Sequence, residues 1–236
     1  MQMVEAVADR GPLTARALSE ATGIVLPTTY HLLRTLVHEG YLCRCADGLY
    51  GLGGQFASVA QLERRARGLR LVREEMAELS ATGRVSVSLG SLRGDEIVVS
   101  NFVGHVCAPR FECWSGMVLP GHATAMGKVI LARMDPRQRA DYLGTHPLQA
   151  FTNQTVTAPW RLEAELSDTG LARSDQQYRY GISCAAVSLV SEGKLAALSA
   201  TFASTRAERF RDRIDELLTA AADRIAMALQ FIGPKT

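Results

Sequence analysis

The amino-acid sequence predicts an α+β protein: an N-terminal winged helix-turn-helix, a linker helix, and a C-terminal mixed sheet flanked by helices. Three observations lead there. Apolar residues recur at helical spacing through the first forty residues and are punctuated by Gly11, Gly23 and Gly40. An Asp47-Gly48 hairpin signal follows at once. From Val85 onward the apolar period shortens to two. The expected parts are residues 1–54, 55–80 and 81–236.

In the first part, Met3, Val4 and Val7 share one helical face before Gly11-Pro12 stops the segment. Thr14 stands where an N-cap belongs, with Leu13 before it and Leu18 after it placed as a hydrophobic staple, so a second helix is expected from Ala15 to Ala21. Gly23 can take the left-handed conformation that ends it. Pro27 suits a first helical position, and the third helix should run to Gly40. At about 100° per residue, Leu32, Leu33, Leu36 and Val37 fall in one arc, and Thr28, His31, Arg34, Thr35 and His38 in the opposite arc. Two short alternating strands around Asp47-Gly48 then form a wing that carries Arg44. A helix, a tight turn and a second helix with polar groups toward its N-terminal half is what reading the major groove of double-stranded DNA requires. The expected DNA-contacting residues are Thr28, Thr29, Tyr30, His31, Arg34, Thr35 and, on the wing, Arg44.

Composition narrows the remaining choices. With 47% hydrophobic and 21% charged residues, the chain has the balance of a folded globular protein. No run of about 18 uncharged apolar residues occurs. The start, Met1-Gln2-Met3-Val4-Glu5, lacks the order of a secretion signal, so no membrane partner is expected and the expected location is the cytoplasm. The five cysteines, Cys43, Cys45, Cys107, Cys113 and Cys184, are scattered without CxxC spacing, which argues against a disulfide framework or a structural zinc site. Cys43 and Cys45 would share one face of a strand and read as partly buried thiols. Neither a metal nor a cofactor is expected. The net charge of +2 does not announce a nucleic-acid binder, and the nine Arg against six acidic residues in 1–73 add only a local +3, so that reading rests on pattern.

A charged helical pattern from Phe56 to about Leu79 supplies the linker. Val85, Val87 and Leu89 then alternate with Ser86 and Ser88, and Glu96–Ser100 follows a Gly94-Asp95 turn. Helices are expected near His122–Arg133, after Asp135-Pro136 and after Thr157-Ala158-Pro159, with strands over Ser183–Val190 and Leu195–Phe202. A Thr205-x-x-Glu208 capping box should open a final amphipathic helix. The backbone N–H groups around Gly121 and His122, where a loop enters a helix, can attract a carboxylate. Cys184, Ser199 and Thr201 on facing strands could add small polar groups to an otherwise apolar pocket. The alternative is a thiol enzyme using Cys184, which would need an activating base that only folding could bring near, such as His122.

The segments Leu13–Gly23, Thr28–Leu36 and Tyr50-Gly51-Leu52-Gly53 resemble the IclR family of bacterial regulators. The run Leu119-Pro120-Gly121-His122-Ala123-Thr124-Ala125-Met126-Gly127-Lys128 resembles that family's Pro-Leu-His-Ala-Thr-Ala-x-Gly-Lys segment, and Gly181-Ile182-Ser183-Cys184-Ala185-Ala186 its glycine-x-x-cysteine signature. The resemblance implies a transcriptional regulator and not an enzyme, with a GAF-like sensor domain, binding a palindromic operator as a homodimer or tetramer and responding to a small organic acid. It also maps Leu119, Ala125, Met126 and Ser174 onto the wall of the effector pocket beside His122, Cys184, Ser199 and Thr201. Departures are His31, where family members usually carry arginine, Gln176 and Gln177 in place of acidic residues, and Val187 in place of a proline. The pocket-region departures and Met126 leave open a regulator whose pocket is vestigial and which answers to its own level or to a protein partner.

Overall fold

Side-chain alternation decides which face of each element is buried, and it does so separately in two compact units, residues 1–66 and 67–236. The computed structural model describes residues 1–110, 112–166, 170–191 and 194–230. The division falls inside a single helix, between Ala66 and Arg67, and not at a helix end.

In the first unit, α1 (Gln2–Arg10), α2 (Ala15–Thr22) and α3 (Leu26–His38) pack beside a small sheet. That sheet holds β1 (Leu13–Thr14), β2 (Leu42–Arg44) and β3 (Leu49–Leu52) in the order β1-β3-β2. The Thr14 hydroxyl accepts the Ala17 N–H at 3.2 Å and caps α2, and Gly23 ends it at φ 69°. Asp47 and Gly48 both take positive φ, 59° and 72°, which turns the wing tightly between β2 and β3. Met3, Val4, Val7, Ala15, Leu18, Leu33 and Leu42 form the core. The two-residue β1, where only a staple was expected, joins because Leu13 pairs with Tyr50.

The helix α4 (Gly54–Gly83) carries the chain into the second unit. There β4 (Ser86–Arg93), β5 (Glu96–Val103), β6 (Leu171–Asp175), β7 (Ile182–Ser191) and β8 (Lys194–Ala203) make one sheet ordered β5-β4-β8-β7-β6, with every neighbouring pair antiparallel. Between β5 and β6 run α5 (Ala125–Arg133), α6 (Pro136–Thr145) and α7 (Pro159–Glu165), and α8 (Ala207–Gln230) closes the order. The alternation along each strand sorts two cores. Val87, Leu89, Ala185, Val187, Leu189, Leu198, Ala200 and Phe202 pack with Val72, Met76 and Leu79 of α4 and with Ile214, Leu218 and Ile225 of α8. On the other face Ala172, Ala186 and Ala197 pack with Met126, Val129 and Ile130 of α5 and Leu162 of α7. Small residues prevail on that face, so it can hold a cavity.

Two helix starts differ from expectation. α5 begins three residues later than predicted, because the Thr124 hydroxyl accepts the Gly127 N–H at 3.1 Å and makes Thr124 the N-cap. A 3-10 turn over Ser204–Arg206 leads into α8 in place of the Thr205 capping box, whereas Asp135 and Gln138 form a reciprocal box at the start of α6.

Candidate functional site

The third helix begins after the short turn that follows Gly23, and that turn is tied from both sides. Ser19 Oγ donates to the Ile24 carbonyl at 2.6 Å, and Thr29 Oγ1 lies 3.2 Å from the carbonyls of both Ile24 and Val25. Thr29 is therefore a correction to the expected reading surface. It stands four residues before Leu33 on the buried face, is 0% exposed, and spends its hydroxyl on the turn. Its hydroxyl fastens the turn between α2 and α3. Leu32 departs the other way: expected to pack, it is 40% exposed. Thr28, Tyr30, His31, Arg34 and Thr35 are all exposed along α3, and Arg44 is exposed on the wing. Thr35 bonds its own helix through the His31 carbonyl at 3.3 Å. The outward face thus combines a cation, an imidazole, hydroxyls and the apolar edges of Leu26 and Tyr30.

In the second unit the face of the sheet opposite α4 and α8 bears a pocket of about 490 Å3, counting its open mouth. Strand register builds its floor. Ser88 pairs with Ser199 across β4 and β8, Cys184 with Thr201 across β7 and β8, and Ser174 with Cys184 across β6 and β7. The start of α5 supplies a wall from Thr124, Ala125 and Met126, while Leu119, Tyr178 and Ile182 add apolar surface and Arg179 a cation. Ser174 Oγ donates to the Ala123 carbonyl at 2.8 Å, and the Cys184 sulfur lies 3.4 Å from Thr201 Oγ1. Ser88 and Ser199 are 7% and 4% exposed, and among the described residues neither hydroxyl has a protein partner. The backbone N–H groups of Ala125 and Met126, at the first turn of α5, likewise take no protein acceptor among the described residues. Gly90, beside a bulge in β4, leaves the room that Met126 occupies, since a Cβ there would lie 2.4 Å from the Met126 sulfur.

Of the eight expected pocket residues, Leu119, Ala125, Met126, Ser174, Cys184, Ser199 and Thr201 come together. His122 does not line the cavity. Its buried ring places Nε2 2.9 Å from the Gln149 carbonyl, which can only accept, so Nε2 carries the proton. The ring stacks on Phe151 at 5.8 Å, and Phe151 meets Tyr178 edge-on at 5.1 Å, so His122 reaches the pocket only through two further rings. Burial lowers the His122 pKa and keeps the imidazole neutral. The free helix entrance lies instead at Thr124. The sequence did not point to Ser88, Cys113, Ala123, Thr124, Tyr178, Arg179 or Ile182 as lining residues; the polar alternation of Ser86 and Ser88 was the signal for the first of these. Burial pushes the Cys184 and Cys113 thiols up to about 11, so both stay protonated at neutral pH.

Two family models match this chain. The IclR helix-turn-helix domain model covers residues 1–44 and the bacterial transcriptional regulator IclR C-terminal model covers residues 67–227. This chain belongs to the IclR family. Among curated IclR-family relatives, it is 24% identical to the transcriptional repressor IclR of Escherichia coli, spanning 81% of this chain and 73% of that one. It is 25% identical to the acetate operon repressor of Salmonella typhimurium, over 92% and 82%. Among solved structures, the Thermotoga maritima IclR superposes with a TM-score of 0.64 at 20% identity, covering 96% of this chain and 95% of that one. An IclR homolog from Microbacterium hydrocarbonoxydans, complexed with 4-hydroxybenzoate, gives 0.63 at 25% identity over 97% and 96%. These relatives are regulators, and the thiol-enzyme alternative falls with them: Cys184 is protonated and His122 is engaged elsewhere.

The IclR-type glycine-lysine pair acquires a physical meaning here. A Cβ on Gly127 would lie 2.3 Å from the Gly121 carbonyl oxygen, so only glycine lets α5 pack on the loop before it. Lys128 is 0% exposed and divides its three protons among Glu165 Oε2 at 2.5 Å, Gln177 Oε1 at 2.5 Å and the Arg173 carbonyl at 3.0 Å. Burial lowers the Lys128 pKa, opposed by the Glu165 carboxylate. Gln177, a departure from the IclR pattern, keeps the hydrogen bond to Lys128 without a second negative charge. Gln176 accepts the Gly181 N–H at 2.9 Å, and Val187 packs on the opposite face of the sheet. None of these three departures lines the pocket.

Proposed function

We propose that this IclR-family regulator acts in the cytoplasm as a homodimer or tetramer and reads a palindromic operator with the exposed face of α3, assisted by Arg44 on the wing. Two symmetry-related recognition helices would match two half-sites about one helical turn apart. By analogy with the Escherichia coli and Salmonella repressors, binding shuts off transcription. In the second unit the pocket takes a small organic acid as effector. The observation that carries this is the Ser88–Ser199 pair: the hydroxyls of two buried serines in register, lining the same cavity, with no protein partner among the described residues. Hydroxyls that line a cavity and pair with no protein group are available to the polar atoms of a ligand. The Ala125 and Met126 N–H groups and Arg179 favour a carboxylate, and Leu119, Ile182 and Tyr178 favour an apolar or aromatic body. The 4-hydroxybenzoate on the Microbacterium homolog has that chemistry. A vestigial pocket gains no support from Gln176, Gln177 or Val187, none of which lines the cavity.

Calorimetry with a panel of aliphatic and aromatic carboxylates, 4-hydroxybenzoate included, tests the reading. A true effector at 100 times its Kd stabilises the fold by about 2.7 kcal/mol. Ser88→Ala with Ser199→Ala should weaken its binding by about tenfold or more while leaving the unliganded fold within about 0.5 kcal/mol, because neither hydroxyl has a bond to lose. A panel in which no acid binds, or whose binding ignores the double variant, contradicts the assignment.

A further inference from the structure

Two thiols converge on the wing. Cys43 lies on β2 and Cys45 one residue beyond its end, so both side chains leave the same side of the strand, with Arg44 between them facing the other way. Their sulfurs are 3.9 Å apart. Side chains two residues apart on a strand stand roughly 6.6 Å apart at their roots, so these two lean toward each other. The opposite strand makes room for that. Cys43 pairs with Gly51, where a Cβ would come within 3.0 Å of the Cys45 sulfur and 3.6 Å of the Cys43 sulfur. Any larger residue at position 51 would push the sulfurs apart. Cys43 is exposed and Cys45 partly so, which leaves the pair open to small oxidants.

We infer that Cys43 and Cys45 form a redox-sensitive dithiol that a peroxide converts to an intramolecular disulfide, and that the bridge displaces Arg44 and weakens DNA binding. The inference rests, for its consequence, on Arg44 contacting DNA. The Cys43 thiolate attacks one peroxide oxygen, giving a sulfenic acid and, after protonation, one water. The Cys45 thiol then attacks the sulfenic sulfur, forms the S–S bond and releases a second water; the sulfurs lose two electrons and the peroxide gains them. Cys43 is the more exposed of the two cysteines, which suits it to meet the peroxide first. A disulfide needs its Cβ atoms about 3.8 Å apart, so closure must pucker the strand at the single residue between the cysteines, which is Arg44. Strain of that kind gives an easily reduced, reversible bridge.

The test uses the full-length protein with Cys107→Ser, to remove the other exposed thiol, and hydrogen peroxide in slight excess. Trypsin cuts after Arg44, so peptides 35–44 and 45–64 stay joined only if the bridge exists. The expected result is the linked pair in mass spectrometry, lost in Cys43→Ser or Cys45→Ser and reversed by dithiothreitol. Affinity for a mixed-sequence duplex at low salt should fall by about tenfold on oxidation, the scale of one charged phosphate contact, and recover on reduction. The wild-type protein, read by the loss of two hydrogens from its peptides 35–44 and 45–64, gives the same answer if a variant folds poorly. Separate peptides after peroxide overturn the dithiol; linked peptides with unchanged affinity overturn its coupling to DNA. A reduced protein that binds no duplex at all would refute the DNA reading and leave the peptide result to judge the dithiol alone.

Discussion

Gly90→Ala tests the pocket wall at the point where Met126 is seated. An added Cβ would lie 2.4 Å from the Met126 sulfur, 3.2 Å from its methyl carbon and 2.9 Å from the Val98 carbonyl oxygen. The methionine is flexible and can swing away, although it is 1% exposed and borders the pocket. The carbonyl belongs to the β4–β5 ladder and cannot move far. Overpacking of this kind costs about 1–3 kcal/mol, and Met126→Ala alone about 2–5 kcal/mol through the cavity it leaves. If the clash with Met126 dominates, truncating the methionine removes it, and the double variant should be at least about 1 kcal/mol more stable than the sum of the singles predicts. Urea unfolding of the four proteins of the cycle measures this, followed by a probe of the second unit. Additivity within about 0.5 kcal/mol would refute the contact, and with it the role of Gly90 in seating Met126 at the pocket.

Three further outcomes are expected. Thr29→Val, which keeps the shape and removes the hydroxyl, should cost about 1–2 kcal/mol of first-unit stability and leave base preference unchanged in a selection from random duplexes; a changed preference would return Thr29 to the reading surface. Burial holds the His122 pKa below its ordinary value of about 6.5, so the unfolded chain binds the proton more readily than the folded one. Its contribution is complete above pH of about 6.5 and is lost as pH falls toward the lowered folded value. His122→Gln should flatten that limb of a stability-against-pH curve, and an identical limb in the variant would exclude His122 as its source. With its pKa pushed up to about 11, Cys184 should alkylate far more slowly at pH near 7.5 than exposed Cys107, as peptide mass spectrometry would show.

Capping, stops and apolar periodicity made the first unit readable from sequence, because those signals are local: Thr14, Gly23, Pro27 and Asp47-Gly48 each act within a few residues. Thr29 was misplaced because a threonine looks the same on a helical wheel whether its hydroxyl faces solvent or a turn carbonyl five residues back. The pocket residues on β7 and β8 were legible through family motifs and strand alternation. On β6 the resemblance marked Ser174, but the strand itself was not legible, since Ala172 and Ser174 alternate with Arg173 and Asp175 without any large apolar residue to mark the buried face. Ser88 carried a local signal in its alternation with Val87 and Leu89, but its pairing with Ser199 is a matter of register and Arg179 needed a loop path, and both of those are long-range facts. The shift of the helix entrance from His122 to Thr124 was within reach, because a threonine three residues before a helical glycine is an ordinary N-cap.

The most direct test of the account is the affinity of the Arg34→Ala and His31→Ala pair for a duplex selected by the wild-type protein, measured across a salt series. Loss of the reading face predicts a weakening of about 1–3 kcal/mol for each base contact removed, or, if Arg34 holds a phosphate, a salt slope reduced by about one. Affinity and slope both unchanged in a folded double variant would contradict the claim that the exposed face of α3 reads DNA.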